Sequence, residues 1–172
     1  LALHRGFLAL VLRGHDRPQA GLHELEHFLV RTFRQHDPIR RAVAFDQILN
    51  SAAKLRQMSG GQLTIPIVFR GPNGSAKQVG SQHSHAMEHF YTHVPGLKCI
   101  APATPEDAYG MMKTAIRDDN PVLVFESETL YSLKGDVSED PAFTVPFGKA
   151  RIARPGKDAT LIAWSRPVHI CL

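Results

Sequence analysis

The stretch PIVFRGPNGSAKQVGSQH, Pro66–His83, puts an apolar β-type run, a Gly- and Pro-rich turn carrying Arg70 and Asn73, and a histidine next to one another. That order is expected of a buried strand that delivers polar groups to a pocket. Upstream, FDQILNSAAKLRQ (Phe45–Gln57) spaces Ile48, Leu49, Ala52, Ala53 and Leu55 as a helix that Gly60-Gly61 stops. The apolar run itself is read as a strand over Thr64–Phe69, and a helix-like segment follows His83.

Further downstream, Lys98–Ala101 is short and extended. Thr104-Pro105-Glu106-Asp107 then supplies an N-cap, a proline at the first helical position and acids at the positive end of a helix running to about Arg117. Asp118-Asp119-Asn120-Pro121 breaks that helix, and Val122–Phe125 supplies the next buried strand. Strands separated by single helices imply right-handed crossovers, and so an α/β fold with a parallel sheet flanked by helices. In such sheets functional groups collect at the carboxyl ends of the strands. The loop after Phe69 and the polar residues Glu126, Ser127 and Glu128 are therefore expected to face one crevice.

With 172 residues, 43% of them apolar, the chain holds one domain's worth of core and is not globally disordered. Two cysteines, Cys99 and Cys171, and no secretory signal point to a reducing compartment and a protein that is not secreted. The apolar run Phe7–Leu12 is far too short for a membrane span. Of the net charge of +4, +3 falls in residues 1–41, and no basic stripe with aromatic context follows Arg41. No nucleic-acid or membrane partner is expected.

Residues 1–41 differ in kind from the rest, with seven Arg, no Lys, no Ser and half of the 10 histidines. We read them as a divergent segment, disordered or out of frame. Within it HELEH, His23–His27, matches the pattern in which two histidines one helical turn apart share zinc and Glu24 serves as general base. The pattern fixes only three residues, so a solvated stretch is preferred to a zinc protease. His85, His89 and His93 also recur every fourth residue, but no cysteine or second cluster completes a tetrahedral site, and surface histidines are expected.

The segments MSGGQLTIPIVFRGPNG and SQHSHAMEHFYTHVPGLKCIAPATPEDAYGMMKTAIRDDNPVLVFE together resemble the pyrimidine-binding domain of the beta subunits of pyruvate dehydrogenase decarboxylating components. The likeness runs from about Ala44 to the end, and branched-chain 2-oxo acids or acetoin remain alternative substrates. It implies a thiamine diphosphate-binding fold, here incomplete, whose cofactor is shared with an alpha subunit that holds the diphosphate and magnesium. It further implies decarboxylation of pyruvate with acetyl transfer to a lipoyl domain of dihydrolipoamide acetyltransferase. Location would follow the source: cytoplasmic if bacterial, the mitochondrial matrix if eukaryotic.

By the same resemblance His83 is the catalytic histidine that assists the substrate and the incoming lipoyl group, a task an imidazole suits near neutral pH. A potassium ion held largely by backbone carbonyls maps to Ile67, Ala115, Ile116, Asp118 and Asn120. From the sequence alone, an ordinary helix end with Asn120 before Pro121 is the preferred reading of the last four residues. The family's cofactor-binding glutamate has no counterpart in this chain.

The expected division is residues 42–140 as a partial pyrimidine-binding domain, 141–157 as a linker, and 158–172 as the start of a truncated C-terminal domain. DATLIAWS, Asp158–Ser165, would be that domain's first strand, left without sheet neighbours and with its apolar surface exposed. Such a subunit is expected to be inactive by itself and prone to aggregation. The alternative is a noncatalytic remnant that keeps only the fold or the subunit interface.

Overall fold

The computed structural model describes residues 8–11 and 44–172. The HELEH motif, and with it the zinc reading at His23, Glu24 and His27, lies outside the described residues. Four strands, β1 (Leu8–Val11), β2 (Ile67–Asn73), β3 (Lys98–Ile100) and β4 (Val122–Ser127), form one sheet in the order β1-β2-β4-β3. β4 pairs in parallel with β2 and β3, whereas β1 adds to β2 antiparallel, an edge strand that the pattern reading does not include.

Helices lie on both faces of the sheet. α1 (residues 44–58) passes through a widened turn, Gln47–Ala52, into Ala53–Met58. α2 is Glu88–Thr92, α3 is Pro105–Ile116 and α4 is Arg166–Cys171. The chain leaves β2 through α2 on one face and passes over β4 to reach β3. It then returns through α3 on the other face to insert β4 in the middle. Reversing both the direction and the face keeps the same right-handed crossover.

Side-chain alternation builds the two cores. Val68, Ile100, Val122 and Val124 point to the α3 face and pack with Ala115, Met111, Met112 and Phe147. Leu123 and Phe125, with Phe69 and Cys99 beside them, point the other way onto Ile48 of α1 and Tyr91 of α2. Val122–Phe125 is only 0–3% exposed, as expected of a central parallel strand covered on both faces.

The start of α3 is as the sequence predicts. The Thr104 hydroxyl accepts from the Asp107 amide at 3.1 Å and the Asp107 carboxylate accepts from the Thr104 amide at 3.2 Å, with Pro105 opening the helix. α1 stops at Gly60 and Gly61, whose φ of +63° and +83° suit glycine, and the Gly61 amide returns to the Arg56 carbonyl at 2.8 Å. Leu55, counted on the buried face by spacing, is exposed because the widened turn rotates the second half of α1 relative to the first.

Two other expectations are corrected. β2 begins at Ile67, not Thr64, and continues through the supposed turn to Asn73, because β4 also runs on and pairs Gly71 with Phe125 and Asn73 with Ser127. β1 covers only Ile67–Arg70, so at Pro72 β2 has a described partner strand on one side alone, the situation in which a proline is tolerated in a sheet. DATLIAWS forms no strand: it pairs with no strand among the described residues, and Leu161, Ile162 and Trp164 are exposed. α4 follows it, a helix that the pattern reading does not contain.

Candidate functional site at the strand tips

The carboxyl ends of β2 and β4 bring together the groups that the sequence assigns to the crevice. Arg70 and Glu126 project from the same face as Val68 and Val124, because all four occupy alternate positions on paired strands. The Arg70 guanidinium reaches forward and donates from Nε and Nη2 to Glu126 Oε1, both at 2.7 Å. Glu126 Oε2 accepts from the Tyr131 hydroxyl at 2.8 Å, so both carboxylate oxygens are engaged. Tyr131 arrives on the short 3₁₀ turn Glu128–Leu130 that ends β4. Burial, then the hydrogen bond to Glu126 and its charge, push the Tyr131 hydroxyl well above the ordinary phenol range.

His83 closes the 3₁₀ turn Ser81–His83. Two bonds tie this segment to the tip of β2: the Gly74 amide donates to the His85 carbonyl at 2.8 Å, and the Met87 amide donates to Asn73 Oδ1 at 2.7 Å. The imidazole is exposed, on a loop anchored at the strand tips rather than on a remote face. Asn73 thus acts as an anchor for the loop. Among the described residues no group of three or more His, Cys, Asp or Glu could hold a metal, and the helix after His83 is too short to carry His85.

The residues matched to potassium gather at the opposite end of the sheet. α3 runs against the strands, so its last turn reaches their amino ends. The Arg117 and Asp118 amides take up the Thr114 and Ala115 carbonyls. The Ile65 amide donates to the Asp119 carbonyl at 2.9 Å, which draws the chain leading into Ile67 against this turn. Lys98 Nζ donates to Asp118 Oδ2 at 2.5 Å, and Asn120 donates from backbone and side chain to Asp118 Oδ1, both at 2.9 Å. Burial pushes the Asp118 carboxyl up, but these bonds and the Lys98 charge win and hold it below the usual range. The Ala115 carbonyl and both carboxylate oxygens of Asp118 are thus engaged by protein donors. Asn120 also borders a cleft of about 470 Å³ between α1 and the Pro95-Gly96 turn.

For thiamine diphosphate the fit is partial. The strand tips supply a wall against which a flat ring could lie, but Glu126 is bound by Arg70 and Tyr131 and is not poised to protonate it. The described residues do not fit the ring's proton-transfer partner, and no step through the cofactor follows from them. Sequence reasoning placed Glu126 at the crevice but missed Tyr131, whose only signal is an aromatic hydroxyl five residues further on.

An α/β sheet, parallel apart from β1, with a polar cluster and a histidine loop at its strand tips, is the setting for a ligand-binding domain of the doubly wound class. Residues 36–134 match the family described as the transketolase pyrimidine-binding domain, and the chain belongs to that family. Among curated proteins it is 46% identical over 156 residues to the mitochondrial pyruvate dehydrogenase E1 component subunit beta-1 of Arabidopsis thaliana, covering 89% of this chain and 41% of that protein. It is 48% identical over 151 residues to the corresponding subunit of Rhizobium meliloti (88% and 31%), and 44% over 156 residues to that of Bos taurus (89% and 42%). The chain therefore spans less than half the length of these relatives. No helix among the described residues is long and apolar enough to cross a membrane.

Proposed function

We propose that this chain is the pyrimidine-ring side of a thiamine diphosphate-dependent pyruvate dehydrogenase, working as part of a beta subunit with an alpha subunit and inactive alone. The observation that carries this reading is 44–48% identity to subunits of that name across nearly the whole chain. The cofactor supplies the carbanion chemistry, and this chain supplies walls and orientation. His83, exposed on a loop anchored at the strand tips, is the group that hydrogen-bonds the substrate and meets an incoming lipoyl group from dihydrolipoamide acetyltransferase. Magnesium belongs to the alpha subunit. Potassium is held at the far end of the sheet by carbonyls of Ile67, Ala115, Ile116, Asp118 and Asn120. The compartment is that of the source: mitochondrial matrix or bacterial cytoplasm.

Co-purification with an alpha subunit tests the pairing, followed by a pyruvate decarboxylation assay with a family segment that carries the cofactor-binding glutamate supplied. Capture of the alpha subunit, activity only when that segment is present, and a loss on the order of a hundredfold in His83→Ala are expected. Thiamine-dependent decarboxylation by the chain alone, or no capture, overturns the reading. One observation favours a second reading, that of a noncatalytic remnant retaining the interface. Glu126, the carboxylate at the tip of β4, is bound on both oxygens. Capture without activity after the segment is restored would select it.

A further inference from the structure

Arg70 is only half used by its partner. A guanidinium is a planar group whose N–H donors form a rigid fork. Nε and Nη2 share one edge of that plane, and both donate to Glu126 Oε1 at 2.7 Å. The outer edge is formed by Nη1 and the second hydrogen of Nη2, and Nη1 has no hydrogen-bond partner among the described residues. The Arg70 side chain is 42% exposed and that of Glu126 13%, so the carboxylate is the buried half of the pair and the guanidinium meets solvent.

The aim of the guanidinium is fixed from behind. The Tyr131 hydroxyl donates to Glu126 Oε2 at 2.8 Å, so the carboxylate cannot swing without breaking a bond. A fork already held through one edge loses little further freedom when the other edge is filled, and such preorganisation favours binding. Arg70 stands opposite Val124 toward the carboxyl ends of β2 and β4, where sheets of this kind receive their ligands. The ion pair cancels the charge, so directional bonds select the ligand. The group that matches an outer guanidinium edge is a planar carboxylate, bound through both oxygens.

We propose that Arg70 is a substrate-binding residue that takes the carboxylate of a 2-oxo acid on its outer edge, with Glu126 and Tyr131 as its positioning residues. The 2-oxo acid rests on the function proposed above, whereas the carboxylate rests on the guanidinium geometry. In decarboxylation the charge leaves the carboxylate as carbon dioxide forms, so a grip on that group belongs to the ground state. Its loss should raise KM without lowering kcat.

The test uses the chain assembled with an alpha subunit or, where none is captured, the full chain alone. Phenylglyoxal, a dicarbonyl that attacks unblocked guanidinium nitrogens, is applied with pyruvate, with pyruvamide or with neither, and modification of each arginine is read by mass spectrometry. Saturating pyruvate should slow modification of Arg70 on the order of fivefold and leave Arg117, exposed at the end of α3, unaffected. Pyruvamide, which lacks the charge and the second acceptor, should not protect. In the active assembly Arg70→Lys keeps a charge for Glu126 but has no fork. It should raise KM for pyruvate on the order of tenfold, with kcat and thiamine diphosphate affinity unchanged. Tyr131→Phe, which frees one oxygen of Glu126, should raise KM by a smaller factor. A urea titration checks that both variants fold; if Arg70→Lys does not, the protection result decides alone. No protection of Arg70, equal protection by pyruvamide, or an unchanged KM in folded Arg70→Lys overturns the proposal. Protection in an assembly that does not decarboxylate pyruvate leaves the carboxylate fork in place and counts against the function proposed above instead.

Discussion

β4 and the segment 158–172 are both rich in apolar residues, yet one is the centre of the molecule and the other lies in solvent. Val122, Leu123 and Val124 have a paired strand on each side and a helical layer on each face, whereas Ile162 is 88% exposed. The residue types are alike, and the difference is made by neighbours: burial stabilises only where another layer takes the water's place. The segment is therefore held by polar anchors, which give position with little packing.

Leu123→Ala tests the comparison most severely. It opens a cavity between α1, α2 and the sheet and should lower the unfolding free energy by about 2–5 kcal/mol in a urea titration. Gly110→Ala strikes where α3 packs against the stretch that follows β4. A Cβ there would lie 2.5 Å from Val145 Cγ2 and 2.8 Å from Phe143 Cε1. It should cost about 1–3 kcal/mol in the same titration and accelerate proteolysis after residue 140.

Alkaline pH separates the regions by their two thiols. Burial pushes Cys99, on β3, up to about 11, while Cys171 is exposed at the end of α4. A thiol reagent at neutral pH should label Cys171 rapidly and Cys99 slowly. The folded chain holds the Cys99 proton more tightly than the unfolded chain. That contribution is fully present below pH 9, the ordinary value, and is lost as pH rises from there through about 11. Cys99→Ala should flatten the decline. The smallest effect expected is for Ile162→Ala, within about 0.5 kcal/mol of the parent; a loss as large as that of Leu123→Ala would abolish the contrast.

What the sequence made legible was local chemistry. The capping box at Thr104, the glycine stop after α1 and the apolar run of β4 are written in adjacent residues and appear where expected. What it hid depends on distant partners. β2 extends to Asn73 only because β4, some fifty residues later, runs on beside it, and DATLIAWS forms no strand because it pairs with none among the described residues. At the tips, Arg70 and Glu126 were placed in one crevice by topology, but their mutual bonds and the Tyr131 hydroxyl depend on side-chain reach. His83 and the five oxygen-bearing residues of the far end came from the family resemblance, and nothing in their spacing alone would have picked them.

β3 is the outermost strand described on its side of the sheet, and it is three residues long, beginning with a lysine paired to Asp118. A foreign strand seeking to add there would find room for few backbone bonds and would have to displace that ion pair. Self-association through this rim should therefore be poorly seeded, and ordered fibrils, if they form, should start from some other surface.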